Sequence, residues 1–112
     1  MNLGDLFGKV RELQETFIEA KERMNEMYES ADAGGGMVVV TANLNKQIIE
    51  IKLDPEVLKD KEMAEDLLVS AVNKALEKAD ARGREELAKA ASGILPPTMG
   101  SLGPLDWGKL GL

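Results

Sequence analysis

The stretch GGGMVVVTANLNKQIIEIKLDP, residues 34–55, decides the fold. Three consecutive glycines cannot sustain a helix, so residues 34–36 break whatever precedes them and turn the chain. MVVVTANL is rich in β-branched side chains and reads as a strand. Asn45-Lys46 falls at a hairpin turn, and QIIEIKLD reads as the return strand. In that strand Ile49, Ile51 and Leu53 share one face, while Glu50 and Lys52 point the other way. Val38, Val40, Ile49 and Ile51 are therefore expected in the core. Asp54-Pro55 then opens a short helical turn, with Asp54 as N-cap and Pro55 in the first position. The glycines do not form a phosphate loop, because no Gly-Lys-Ser/Thr follows them.

On the N-terminal side, residues 5–31 predict one long helix. Leu3, Leu6, Val10, Leu13, Phe17, Ala20, Met24, Met27 and Ala31 recur at alternating steps of three and four, a heptad pattern. Such a helix is roughly 40 Å long, more than a small chain covers by itself. On the C-terminal side, a second helix is predicted from about Asp60 to Ser92. Leu68, Val72, Ala75, Leu76, Ala79, Leu87 and Ala90 make its apolar arc. Lys74, Lys78, Arg82 and Lys89 lie beside that arc, Gly83 is a place to bend, and Gly93 with Pro96-Pro97 ends the helix. The expected organisation is one folded domain over residues 1–93 and a Gly/Pro-rich flexible tail over 94–112, with Trp107 as a docking anchor.

The chain has 112 residues, no cysteine and no histidine. Disulfides, thiolate chemistry and the commonest general base are therefore excluded. No apolar run approaches the ~20 residues of a membrane span, and the first residues lack the pattern of a signal peptide. A soluble, cytoplasmic protein is expected. Glu62, Glu65 and Asp66 sit in the first turns of a helix, where the dipole favours negative charge. Ser30, Ser70, Ser92 and Ser101 have no histidine to activate them. The chemistry points away from an enzyme, and no cofactor, metal or small-molecule substrate is expected.

Net charge is −6, which on its face repels a phosphate backbone. The charges are unevenly placed. Residues 1–33 hold eight acids and four bases, whereas residues 67–93 hold four acids and five bases. On the first helix Glu12, Glu15, Glu19 and Glu22 gather on one outer face, and Lys9, Lys21 and Arg23 border the apolar seam. In a parallel coiled coil those borders would pair Lys9 with Gln14, Thr16 with Lys21 and Arg23 with Tyr28. None of these pairs joins opposite charges. A closed coil along the whole helix is therefore not expected. Instead, part of the seam would stand beside a second copy, leaving a gap edged by lysine and arginine that suits phosphate. The same borders also suit methylene cover of an apolar stripe.

The N-terminal helix, GGGMVVVTANLNKQIIEIKLDPEVL, DKEMAEDLLVSAVNKALEKA and GILPP follow one another in an order and spacing that resembles the YbaB/EbfC nucleoid-associated proteins of bacteria. Ala71, Asn73 and Ala75 match the family's Ala-x-Asn-x-Ala stretch, and the likeness covers about residues 1–98. Where the family often has Asn-Gly at the hairpin, this chain has Asn43-Leu44. The resemblance implies an α+β fold with a small antiparallel sheet and two long helices, an intertwined, tweezers-like homodimer, and binding of double-stranded DNA at the nucleoid.

Combined with the charge placement, the expectation is a homodimer that contacts phosphate and duplex shape with little sequence preference, in nucleoid organisation or gene regulation. Lys9, Lys21 and Arg23 on the first helix and Lys78, Arg82, Arg84 and Lys89 on the second are the expected contacts, with Arg11 secondary. Leu6, Val10, Leu13 and Phe17 are the expected dimer seam. The rival expectation is a homodimeric interaction scaffold whose seam, bearing Met24 and Met27, takes a partner helix.

Overall fold

The computed structural model describes residues 2–94, so the tail from Leu95, with Pro96-Pro97 and Trp107, lies outside the described residues. The elements are helix α1 (Leu3–Met24), strands β1 (Tyr28–Ala33), β2 (Val38–Asn43) and β3 (Ile48–Leu53), a 3-10 turn (Pro55–Lys59) and helix α2 (Lys61–Ser92). The class is α+β as expected, with a three-stranded antiparallel sheet in the order β1-β2-β3. Two compact units result. One is Met24–Gly83; the other combines the described residues up to Arg23 with those from Arg84 onward.

Local chemistry sets most of the element ends. Asn2 caps α1 by accepting the Asp5 backbone N–H at 2.8 Å. Asp54 accepts from the Glu56 N–H at 2.9 Å, the cap expected from Asp-Pro. Asp60 does the same for α2 through the Met63 N–H at 3.1 Å. Gly83 lies within α2 without ending it, and a Cβ there would stand 3.0 Å from the Leu44 carbonyl oxygen and 3.1 Å from Met24 Cε. Glycine is therefore what lets α2 approach the β2–β3 hairpin so closely.

The helix expected over 5–31 ends at Met24, and residues 28–33 form a strand instead. YESADA has weak β propensity, and its two buried side chains, Ala31 and Ala33, suit a helix equally well. Pairing decides the matter: Ala31 stands opposite Val40 and Ala33 opposite Val38. The three glycines are accordingly a hairpin turn between two strands, not a junction between helix and strand. All three have positive φ, +65°, +65° and +91°, which only glycine adopts without strain in succession.

Directly opposite residues of an antiparallel pair point to the same face. Ala31, Ala33, Val38, Val40 and Ala42 of that face are buried, as are Ala71, Ala75 and Ala79 of α2, one helical turn apart. Ile51 opposes Val40 and Leu53 opposes Val38, so both share this face. Val38 and Val40 are core residues as expected, but Ile49 and Ile51 are not: they remain 51% and 45% exposed. One helix about 10 Å wide covers about two strands spaced ~4.8 Å apart, and the third strand is left outside. Ile49 is further displaced by a bulge, because Thr41 opposes Glu50 while Ala42 opposes Ile48.

The β2–β3 hairpin is organised by Asn43, a buried polar residue. Its Oδ1 accepts the Asn45 and Gln47 backbone N–H groups at 3.0 Å each, and its Nδ2 donates to Gln47 Oε1 at 2.7 Å. The turn falls at Asn45-Lys46 as expected, with Lys46 at φ 63° and its ammonium 3.4 Å from Asp80.

Candidate nucleic-acid interface

The basic side chains of α2 in the Met24–Gly83 unit form a ladder on the outer edge of β1. Lys74 Nζ donates to the Asp32 carbonyl at 3.4 Å, Lys78 Nζ to the Ser30 carbonyl at 3.0 Å, and Arg82 Nη1 to the Tyr28 carbonyl at 3.2 Å. Arg82 also pairs with Glu29 at 3.3 Å. Four residues of helix rise about 6 Å and two residues of strand rise about 6.8 Å, so three successive cations meet three successive outward carbonyls. Lys78 and Arg82, expected to touch phosphate, therefore also hold an edge strand. Sequence reasoning placed Lys74 beside them on the helical wheel, but could not know of a β1 carbonyl to receive it.

The remaining expected contacts lie in the other unit. Lys89 is exposed and its ammonium stands 3.5 Å from Glu86. Lys21 and Arg84 are exposed, and each already has an interaction partner within the chain. Lys9, Arg11 and Arg23 are exposed, and among the described residues their side chains make no hydrogen bond or ion pair. Lys9 borders a shallow groove lined also by Gly4, Asp5, Gly8 and Glu12, so two carboxylates moderate its field. Lys21 and Arg23 occupy the last turn of α1, where positive charge complements the helix dipole.

Of the expected seam, Leu6 and Val10 are each 48% exposed, and Leu13 and Phe17 are half-buried. Phe7 and Ile18, off the heptad positions, are more exposed than either. Met24 is only 3% exposed and so offers no surface to a partner helix.

Fold and surface together define a small α+β module whose distinctive chemistry is cationic side chains carried on two long helices. Among the described residues no helix is long and apolar enough to cross a membrane. The chain belongs to the YbaB/EbfC DNA-binding family, whose pattern matches residues 1–94. This is a nucleoid-associated DNA-binding family and not an enzyme family.

A nucleoid-associated protein of Chlorobium phaeobacteroides strain BS1 is 40% identical over 94 residues, 84% of this chain and 85% of that protein. A nucleoid-associated protein of Xanthomonas campestris pv. campestris strain B100 is 38% identical over 99 residues, 88% of this chain and 93% of the relative. Among solved structures, the crystal structure of an uncharacterized protein from Helicobacter pylori is similar with a TM-score of 0.72. It is 27% identical and the likeness covers 79% of this chain and 94% of that one.

Proposed function

We propose that this chain is a nucleoid-associated protein that binds double-stranded DNA as a homodimer, gripping phosphate and duplex shape with little sequence preference. Family membership supports the DNA partner and the nucleoid location. The carrying observation is the division of labour among the cations. Lys74, Lys78 and Arg82 are tied to β1, whereas Lys9, Arg11 and Arg23 of α1 are exposed and, among the described residues, unpaired. Lys9 and Arg23 are thus the leading phosphate contacts, with Lys21, Arg84 and Lys89 in support and Lys78 and Arg82 in a double role. Two copies double the number of cations on offer, and each acts on phosphates within about a Debye length of itself although the chain's net charge is −6. The exposed Leu6 and Val10, with Leu13 and Phe17, supply apolar surface for the second copy. In the cell such binding serves nucleoid organisation or gene regulation in the cytoplasm.

A gel-shift series on random and AT-rich duplexes at several salt concentrations tests this reading. Each phosphate contact contributes about −0.9 to the slope of log K against log salt. Lys9→Glu with Arg23→Glu is expected to weaken binding at least tenfold on every duplex and to flatten the slope. These positions are the cleaner test, because charge reversal at Lys78 and Arg82 would also disturb β1. An unchanged slope and affinity would remove α1 from the interface.

A further inference from the structure

We propose that the outer edge of β1 is a phosphate track, on which the backbone N–H groups of Ser30 and Asp32 and the cations Lys74, Lys78 and Arg82 together hold one strand of the duplex. The inference rests on the DNA binding of the preceding reading and adds to it donors that belong to the backbone.

Backbone direction fixes which groups are on offer. The Asp54 N–H donates to the Met37 carbonyl at 2.8 Å, so Met37 points toward β3. By alternation Val39 and Thr41 also point toward β3, and Val38, Val40 and Ala42 point toward β1. Their partners Ala33, Ala31 and Glu29 point back at β2, so the N–H and C=O groups of Tyr28, Ser30 and Asp32 face outward. The ladder agrees independently, since these are the three carbonyls it reaches. The N–H groups of Ser30 and Asp32 have no acceptor among the described residues, and both residues are exposed.

With its carbonyls held by cations, the edge offers mainly donors. Each lysine ammonium has further N–H groups beyond the one it gives to β1, and so has the Arg82 guanidinium. Another β-strand fits such an edge poorly, because it would bring N–H groups of its own against carbonyls already taken. The edge suits a ligand that only accepts hydrogen bonds, carries negative charge and repeats along a line. A nucleic-acid backbone has all three properties. Successive phosphates of one strand rise about 3.4 Å along the axis and, because the strand winds, stand roughly twice that far apart. The outward donors of β1 recur every two residues, about 6.8 Å. Two carboxylates moderate the track. Glu29 is paired with Arg82 at 3.3 Å, and Asp32 is exposed on the sheet face away from α2. Contacts from backbone N–H groups to phosphate carry no sequence information, in keeping with a grip on shape.

Amide signals of the isotope-labelled full chain, titrated with a short random duplex at low salt, test this. Those of Ser30 and Asp32 are expected to move downfield and their hydrogen exchange to slow about tenfold, while Ala31, turned toward β2, changes little. Duplex binding that leaves both amides unmoved would overturn the track and leave the DNA reading standing, whereas no binding at low salt would overturn both. Polyglutamate that moves the two amides as far as the duplex does would overturn nucleic acid as the occupant. Variants give an independent readout. Ser30→Pro deletes one N–H at an edge position that tolerates proline, and is expected to bind every duplex about fivefold more weakly. Ser30→Ala keeps the N–H and should bind as wild type does. Equal affinities of these two variants would overturn the backbone contact. Lys74→Gln leaves the backbone intact and should flatten the slope of log K against log salt by about 0.9 for each bound copy. An unchanged slope would remove Lys74 from the track.

Discussion

The two edges of the sheet are treated in opposite ways. At β1, small buried alanines face α2, and three of its cations meet the outward carbonyls of Tyr28, Ser30 and Asp32. At β3, larger and more hydrophobic side chains are left half-exposed, and its outward backbone groups face open space in the single chain. The residues with the weaker strand propensity are the better protected. Protection of a strand here follows from what lies beside it, not from how strongly its own residues favour extended structure.

The sharpest way to break the contrast is to push α2 away from the guarded edge. Ala75 is fully buried, and Ala75→Leu is expected to cost about 3 kcal/mol by overpacking. The melting temperature should fall by roughly 10–20 °C. A variant that melts normally would show that α2 does not close tightly on the sheet.

A smaller loss is expected from removing the ladder alone. Replacing Lys74, Lys78 and Arg82 together by methionine keeps their methylene cover but removes the donors. This should cost about 1–2 kcal/mol in urea unfolding, the exposed setting reducing the worth of each bond. Amide exchange in β1 should accelerate while that of β2 changes little. Equal acceleration throughout the sheet would mean that the ladder does not act specifically on its edge.

The smallest effect belongs to the open edge. Ile51→Ala should cost under about 1 kcal/mol in protein diluted to single chains, because the side chain is already 45% exposed. In the proposed homodimer the same change should lower stability further as concentration rises, by whatever association contributes. A loss independent of concentration would argue that Ile51 serves the single chain only.

The residues whose roles were legible in sequence are those governed by their near neighbours. The β-branched run at 38–40 became β2, Asp54 and Asp60 became caps, the turn fell at Asn45-Lys46, and the helix expected to begin near Asp60 runs to Ser92. The order of these motifs also carried the family. Asn2 shows the same kind of signal and was legible in principle, since a capping residue needs only the turn that follows it.

Tertiary structure alone decided the rest. YESADA became a strand because β2 lay within reach of its backbone, although its alanines fitted the preceding heptad. Ile49 and Ile51 alternated as core residues should, yet one helix could not cover a third strand. Lys78 and Arg82, expected from the sequence as phosphate contacts, also donate to carbonyls on a strand some fifty residues earlier in the chain. A cap or a turn is settled over a few bonds, whereas burial, edge pairing and the partner of a long cation depend on which distant surface the folded chain brings opposite.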